Sequence, residues 1–404
     1  MMTTVDMPQE RFRLSMLLYD TRYRSLTIQV VAVLAFMLFA AWLVNNTIQN
    51  LATLGKDFSF GFLGARAGYD ISQSLIPYSN DSTHARAALV GIVNTLLVAV
   101  VGCLLATIIG VFIGVLRLSK NWIVARLAAV YVDGFRNIPV LLWIVATMAI
   151  ITDVAPPPAA FRGENATASM VFGSIAVTNR GLYIPWPVLG PGWHVVVGTF
   201  IASLIAIMLF GRWARARQEA TGEILPTFWI KLAIFFLPVL IVDRLMGGPI
   251  SLDFPVLQRF NFQGGGYLDK SFIALTLALA LYTGSFIAEN VRAGIQAISR
   301  GQTEAAAALG LRPRRVTSLV ILPQALRVII PPLISQYLNL TKNSSLAIAV
   351  GYADVRATLG GITMNQTGRE LECMLLLMGF YLIVSLLISS VMNWYNASVA
   401  LKER

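Results

Sequence analysis

The chain has 404 residues, 56% of them hydrophobic and 13% charged, with a mean hydropathy of +0.70. Soluble chains carry roughly 45–50% apolar and about 25% charged residues, so a water-soluble enzyme, a disordered chain and a disulfide scaffold are excluded and a multi-spanning membrane protein remains. The net charge of +11 comes in short clusters between apolar runs, not in a basic stripe interleaved with aromatics, which speaks for membrane topology and against nucleic acid.

With about 20 apolar residues per crossing, eight spans are predicted, at 26–46, 88–116, 137–152, 193–211, 228–246, 271–291, 327–351 and 373–395. The segment before the first carries Arg11, Arg13, Arg22 and Arg24 and no A-x-A site follows it, so span one is read as uncleaved. Basic loops resist translocation. An amino terminus in the cytoplasm puts 20 of the 31 Lys and Arg residues inside and 10 outside, with Lys342 within a span. Both termini are then cytoplasmic.

Span two contains Gly110-x-x-x-Gly114, a close-packing pattern that names no partner. Asn94, towards its outer end, could meet incoming solute or bond a neighbouring helix. Phe135-Arg136-Asn137-Ile138-Pro139 opens span three. The stretches 153–192 and 247–267 hold Pro156-Pro157-Pro158, Pro185-Trp186-Pro187, Gly247-Gly248-Pro249 and Gly264-Gly265-Gly266, and read as connectors. Cys103 and Cys373 lie in or beside apolar runs and read as packing residues, and His84 and His194 lie too far apart for a metal site. No repeat of 20–50 residues is present.

Residues 301–326, between spans six and seven, are too polar to cross and too structured for a linker. Thr303 is a predicted N-cap for a short Ala-rich helix, Glu304 suits the helix dipole, and Gly310 supplies a left-handed stop. Pro313 opens a second helix that Pro323 breaks. In span seven, Ser335, Asn339 and Asn343 recur at i, i+4 and i+8 on one helix face, beside Lys342. Polar residues at membrane depth face a cavity or a neighbouring helix. This face could hold an amino-acid zwitterion or bond a partner helix, and Lys342 could serve solute, pair with Glu289 or snorkel. Glu289 lies about 27 Å along its helix from Ser271 at 1.5 Å per residue, near the cytoplasmic interface, where it orients Arg292 or the loop more readily than it touches solute.

Glu304-Ala305-Ala306, Gly310 and Val320-x-Leu322-Pro323 together resemble the EAA loop of binding-protein-dependent ABC importer permeases. The flanking ENVRAGIQAISRGQTEAAAALG and LPQALRVIIPPLISQYLNLTKNSSLA, with YVDGFRNIPVLLW upstream, look like the polar amino-acid uptake family (histidine, glutamate and glutamine type). The larger, Q-type permease of the general L-amino-acid importers is similar in carrying an insertion here. Lys342-Asn343-Ser344-Ser345 departs from the usual Lys-Asp-Thr-Ser by Asn for Asp.

The resemblance implies an all-α integral membrane protein with about eight transmembrane helices: a five-helix type I ABC importer permease core with one N-terminal extra span and a two-span insertion. The implied parts are 1–87 (tail, extra span and outer loop), 88–152 and 271–396 (core, with the coupling loop 299–325), 153–270 (insertion) and 397–404 (cytoplasmic tail). Thr303, Glu304, Ala305, Ala306, Leu309, Gly310 and Arg312 are implied ATPase-coupling residues. Asn94, Glu289, Ser335, Asn339, Lys342, Asn343 and Ser344 are candidates for the substrate path. No G-x-x-x-x-G-K-[ST] occurs in the chain. The resemblance therefore puts ATP and Mg on a cytoplasmic ABC ATPase dimer, leaves this chain without a cofactor, catalytic residue or metal, and adds a second permease subunit (a homologous, different chain), a periplasmic amino-acid-binding protein and membrane lipid. It places the chain in the bacterial inner membrane. The competing reading is an ion-gradient-driven secondary transporter, which needs midplane ionisable residues and repeats; only Lys342 qualifies.

Overall fold

The computed structural model describes residues 21–399 apart from 54, 56, 164 and 165. Arg11, Arg13, Lys402 and Arg404, which entered the topology count, lie outside the described residues. Two units are distinguished, up to Leu63 and from Gly64 onward. The first is α1, Thr21–Thr53, apolar and long enough to cross a bilayer.

The second unit is built around α7, Lys270–Gln296. Over its apolar stretch 72% of α7 is buried, against 28% for α2, His84–Leu116. The cause is side-chain size: Gly110 and Gly114 of α2 face α7 so closely that a Cβ on Gly110 would stand 2.5 Å from Ile287 Cβ, and one on Gly114 2.7 Å from the Ala288 carbonyl. Gly284 of α7 returns the contact: a Cβ there would stand 3.2 Å from Ile109 Cγ2 and 3.3 Å from the Ala106 carbonyl. The Gly-x-x-x-Gly pattern thus has its partner. Val98, Ala106, Leu275, Leu279, Ile287 and Val291 fill the core between and beside the two helices.

Between α2 and α7 in the chain, α3 (Trp122–Asn137) and α4 (Val140–Val154) are bent by 108°. The predicted span 137–152 forms as α4, the second limb of this bent pair. Pro139 donates no N–H and forces Ile138 into an extended conformation (φ −107°, ψ 133°). Among the described residues six helices are long and apolar enough to cross a membrane, seven if the bent pair is one broken span. The predicted span 228–246 forms as α6, Thr227–Leu245, but its Lys231, Asp243 and Arg244 leave it outside that set. It pairs with α5, Trp193–Thr221, through contacts such as Phe200 on Phe235.

The stretches read as connectors are also corrected, because they pair into small sheets. Strands β1 (Ala176–Thr178), β2 (Gly181–Ile184) and β7 (Gly266–Asp269) form an antiparallel sheet with Tyr183 opposite Tyr267. Strand β3 (Trp186–Leu189) pairs with β4 (Ile250–Asp253), and β5 (Val256–Gln258) with β6 (Asn261–Gln263). Ala176, Tyr183 and Phe262 form their own small core. Strand β7 runs straight into α7, where Asp269 accepts from the Ser271 backbone N–H at 2.8 Å as N-cap. Strands of three or four residues carry too short a period to be told from loops.

After α7 come α8 (Arg300–Ala308) and α9 (Pro313–Val316), which passes through a wide π turn, Thr317–Ile321, into α10, Leu322–Asn343. Pro323 therefore does not break the helix as predicted; the wide turn shifts the carbonyl that its ring would strike. A 3₁₀ turn, Ser344–Val350, ends α10, and α11, Glu370–Val399, closes the described chain. The glycine contact sets the first prediction. Gly110→Val lowers the thermal transition of the detergent-purified protein, at the typical overpacking cost of about 1–3 kcal/mol, whereas Gly134→Ala, with open space around it, does not. Equal melting of wild type and Gly110→Val would show that α2 and α7 do not pack this way.

Candidate functional site

The loop between α7 and α10 is a compact elbow. Its first helix starts four residues earlier than predicted: Ser299 is the N-cap position and Thr303 lies inside α8. Gly310 adopts φ +76°. The Gly310 N–H donates to the Ala307 carbonyl (2.9 Å) and the Leu311 N–H to the Ala306 carbonyl (3.3 Å), the paired bonds of a Schellman stop. Arg312 then caps α9, with Pro313 in its first turn. Ala306 and Val316 are buried and hold the elbow together, while Thr303, Glu304, Ala305, Gly310 and Arg312 are exposed and Leu309 is 82% exposed. Among the described residues Glu304 has no ion-pair or hydrogen-bond partner. A carboxylate and a leucine thus project from a small, smooth helix.

On α10, Ser335, Asn339 and Lys342 are exposed and Asn343 is half-buried. Lys342 has no carboxylate partner among the described residues. An unpaired cation on a membrane-crossing helix is costly, so this face needs water, solute or another chain against it. Ser344 is different: it is fully buried and its hydroxyl donates to the Thr341 carbonyl at 2.7 Å.

Glu289 is engaged at the α8 end of the bundle. Its carboxylate accepts from Arg117, just beyond α2, and from Arg292 (2.5 Å), with Arg136 of α3 at 4.0 Å. None of these partners is Lys342.

At the opposite end Asn94 is fully buried, its amide donating to the Gln73 and Ala353 carbonyls at 2.9 Å each. Thr95 Oγ1 accepts from the Val355 N–H (3.0 Å). These bonds fasten α2 to the segment around Asp354, a residue that reading the sequence passed over. Asp354 is fully buried; its Oδ1 caps the turn Val355–Ala357, accepting from the Ala357 N–H at 2.8 Å. Its Oδ2 has no hydrogen-bond partner among the described residues. Burial pushes the Asp354 carboxyl up to about 6, against the pull of backbone donors and Arg356. The cap signature was available in Asp354-Val355-Arg356, but its burial was not.

Comparison with known proteins gives the family. The model for "Binding-protein-dependent transport system inner membrane component" matches residues 220–400. The chain is 57% identical to the glutamate/glutamine/aspartate/asparagine transport system permease protein BztB of Rhodobacter capsulatus, over 99% of both chains. It is 47% identical to the general L-amino acid transport system permease protein AapQ of Rhizobium johnstonii, over 96% of this chain and 95% of that one. A solved amino acid ABC transporter described "with histidines" covers 78% of this chain and 95% of its own at a TM-score of 0.45 and 18% identity. The chain belongs to the permease subunits of binding-protein-dependent ABC amino-acid importers.

Asp354 supplies a pH test. Its folded-state pKa lies above the unfolded value of about 3.9, so the folded state binds the proton more tightly. Its contribution is most favourable below about pH 4, falls as pH rises towards about 6 and stays at its lower level above that. Asp354→Asn keeps an acceptor for the cap and removes the charge. The variant's melting temperature, relative to wild type, should therefore rise across this window. Parallel profiles would remove Asp354 from the account.

Proposed function

We propose that α8 and its Gly310 elbow dock on a separate cytoplasmic ABC ATPase dimer, and that the exposed polar face of α10 lines the solute path against a second permease chain. The observation that carries this reading is the elbow itself: an exposed, short-side-chain helix with a projecting Glu304 and Leu309, joined by three residues to the most buried helix of the bundle. Small side chains admit the close approach of another protein surface. The buried helix α7 gives any movement of α8 a rigid element to act on.

ATP and Mg belong to that ATPase in this reading, and a periplasmic binding protein delivers solute at the end opposite α8. The Lys and Arg bias supports cytoplasmic termini and an inner-membrane location. The solute class is acidic amino acids and their amides. Two things support it: the name of the 57% identical relative, and Lys342 standing without a carboxylate beside Asn339 and Asn343, where a cation and amide groups suit a carboxylate and a carboxamide.

The test is to measure ATP-driven uptake and ATPase copurification on the same preparations. Glu304→Ala leaves the protein in the membrane and lowers uptake about tenfold, in the range for a truncated interface anchor. Gly310→Val forces a β-branched residue into the left-handed region and displaces the helix, so the ATPase is lost. Normal uptake and normal ATPase recovery in both variants would sink the docking assignment.

A further inference from the structure

One carboxylate with three arginines around it is more than charge neutralisation requires, and each arginine comes from a different place. Arg117 follows directly on α2, Arg136 sits in the last turn of α3, and Arg292 lies one turn beyond Glu289 on α7. Arg292 is also tied to Gln296, the last residue of α7, at 2.7 Å. Only Ala297–Ser299 separate that residue from α8.

The centre of the cluster, Glu289 with Arg117, is sheltered, while the outer Arg292 and Arg136 side chains are 30% and 39% exposed. The Arg117 side chain is 14% exposed and that of Glu289 24%, so charge-assisted bonds there are screened less than at a free surface. The Arg136 guanidinium is held a second way, 5.1 Å over the ring of Phe286, one turn before Glu289. Arg136 stands three residues ahead of Pro139, at the 108° bend between α3 and α4. A displacement of α8 therefore reaches the last turn of α7 over three residues of chain, and from Glu289 it reaches the end of α2 and the hinge of the bent pair through ion pairs.

We propose that Glu289, gripped by Arg117, Arg136 and Arg292, is the positioning residue that carries movement of the coupling helix into α2 and the bent pair α3–α4. This rests on the docking of α8 on an ATPase. Glu289 here holds other residues of the protein and does not touch solute. A residue that only stabilised the bundle would lower uptake and ATP hydrolysis together. A transmitting residue changes how much solute moves per ATP.

The experiment uses the complete importer in proteoliposomes with its binding protein, and reads uptake of radiolabelled glutamate and phosphate release on the same vesicles. Glu289→Gln lowers glutamate carried per ATP hydrolysed by about tenfold, the scale of losing one charge-assisted hydrogen bond, and Glu289→Asp restores part of it. Arg136→Gln removes the longest contact of the cluster together with the stacking on Phe286, leaves the Arg117 and Arg292 bonds to Glu289 in place and lowers the ratio by a smaller factor, so it carries the test if Glu289→Gln fails to assemble. A ratio equal to wild type in the assembled variants, or uptake and hydrolysis falling in proportion, would overturn the proposal. Wild-type vesicles that take up neither glutamate nor any of a mixture of labelled amino acids on adding ATP would instead overturn the functional reading beneath it.

Discussion

The bundle depends on how closely two helices can approach. Gly110 and Gly114 let the backbone of α2 lie against α7, and Gly284 lets α7 lie against α2. Within a bilayer, apolar side chains gain little by leaving lipid for a helix neighbour, so helices associate through tight packing and through polar contacts at selected points. The glycines supply the tight packing, and α7 becomes buried on nearly all sides. Gly294 repeats the arrangement one element on, packing α7 beneath Ile329 of α10.

With the middle of the bundle closed in this way, the polar groups divide by position. At one end the side chains of Asn94 and Thr95 fasten α2 to the backbone of the segment after α10, Asn94 also holds the Gln73 carbonyl, and Asp354 caps that segment from within. At the other end Glu289 gathers three arginines. Between them Ser335, Asn339 and Lys342 of α10 are exposed. Polar groups with partners inside the chain hold it together. Those without partners among the described residues require something from outside it.

The segment between α4 and α7 follows a different rule. Its helices α5 and α6 form a hairpin, and the segments on either side of that hairpin return to one another as short antiparallel strands, Gly181 opposite Asp269 and Trp186 opposite Asp253. The return brings the chain back to the N-cap of α7 in a fixed register. The two-helix excursion is thereby inserted without disturbing the helix on which the rest of the bundle packs.

The crossing segments and the Gly310 stop were legible because they rest on local physics: runs of apolar residues as long as a bilayer is thick, and the left-handed conformation that glycine adopts freely. The start of α8 was not, its cap position being Ser299 and not Thr303. The family followed by resemblance from the residues of the loop 301–326 and its flanks. The bend at Pro139 was written locally, yet whether proline kinks a helix or splits it depends on what packs on each side, and Pro323 shows the other outcome within a π turn. The strands were hidden because elements of three or four residues are too short to leave a periodic trace, whether they pair locally, as Ala176 with Tyr183, or across the chain, as Gly181 with Asp269. Burial of Asp354, the ring of arginines on Glu289 and the open stance of Lys342 were decided only by the tertiary structure. A charge in a sequence has a sign and a position; whether it is paired or left free depends on which distant segments the close packing of α2 on α7 brings beside it.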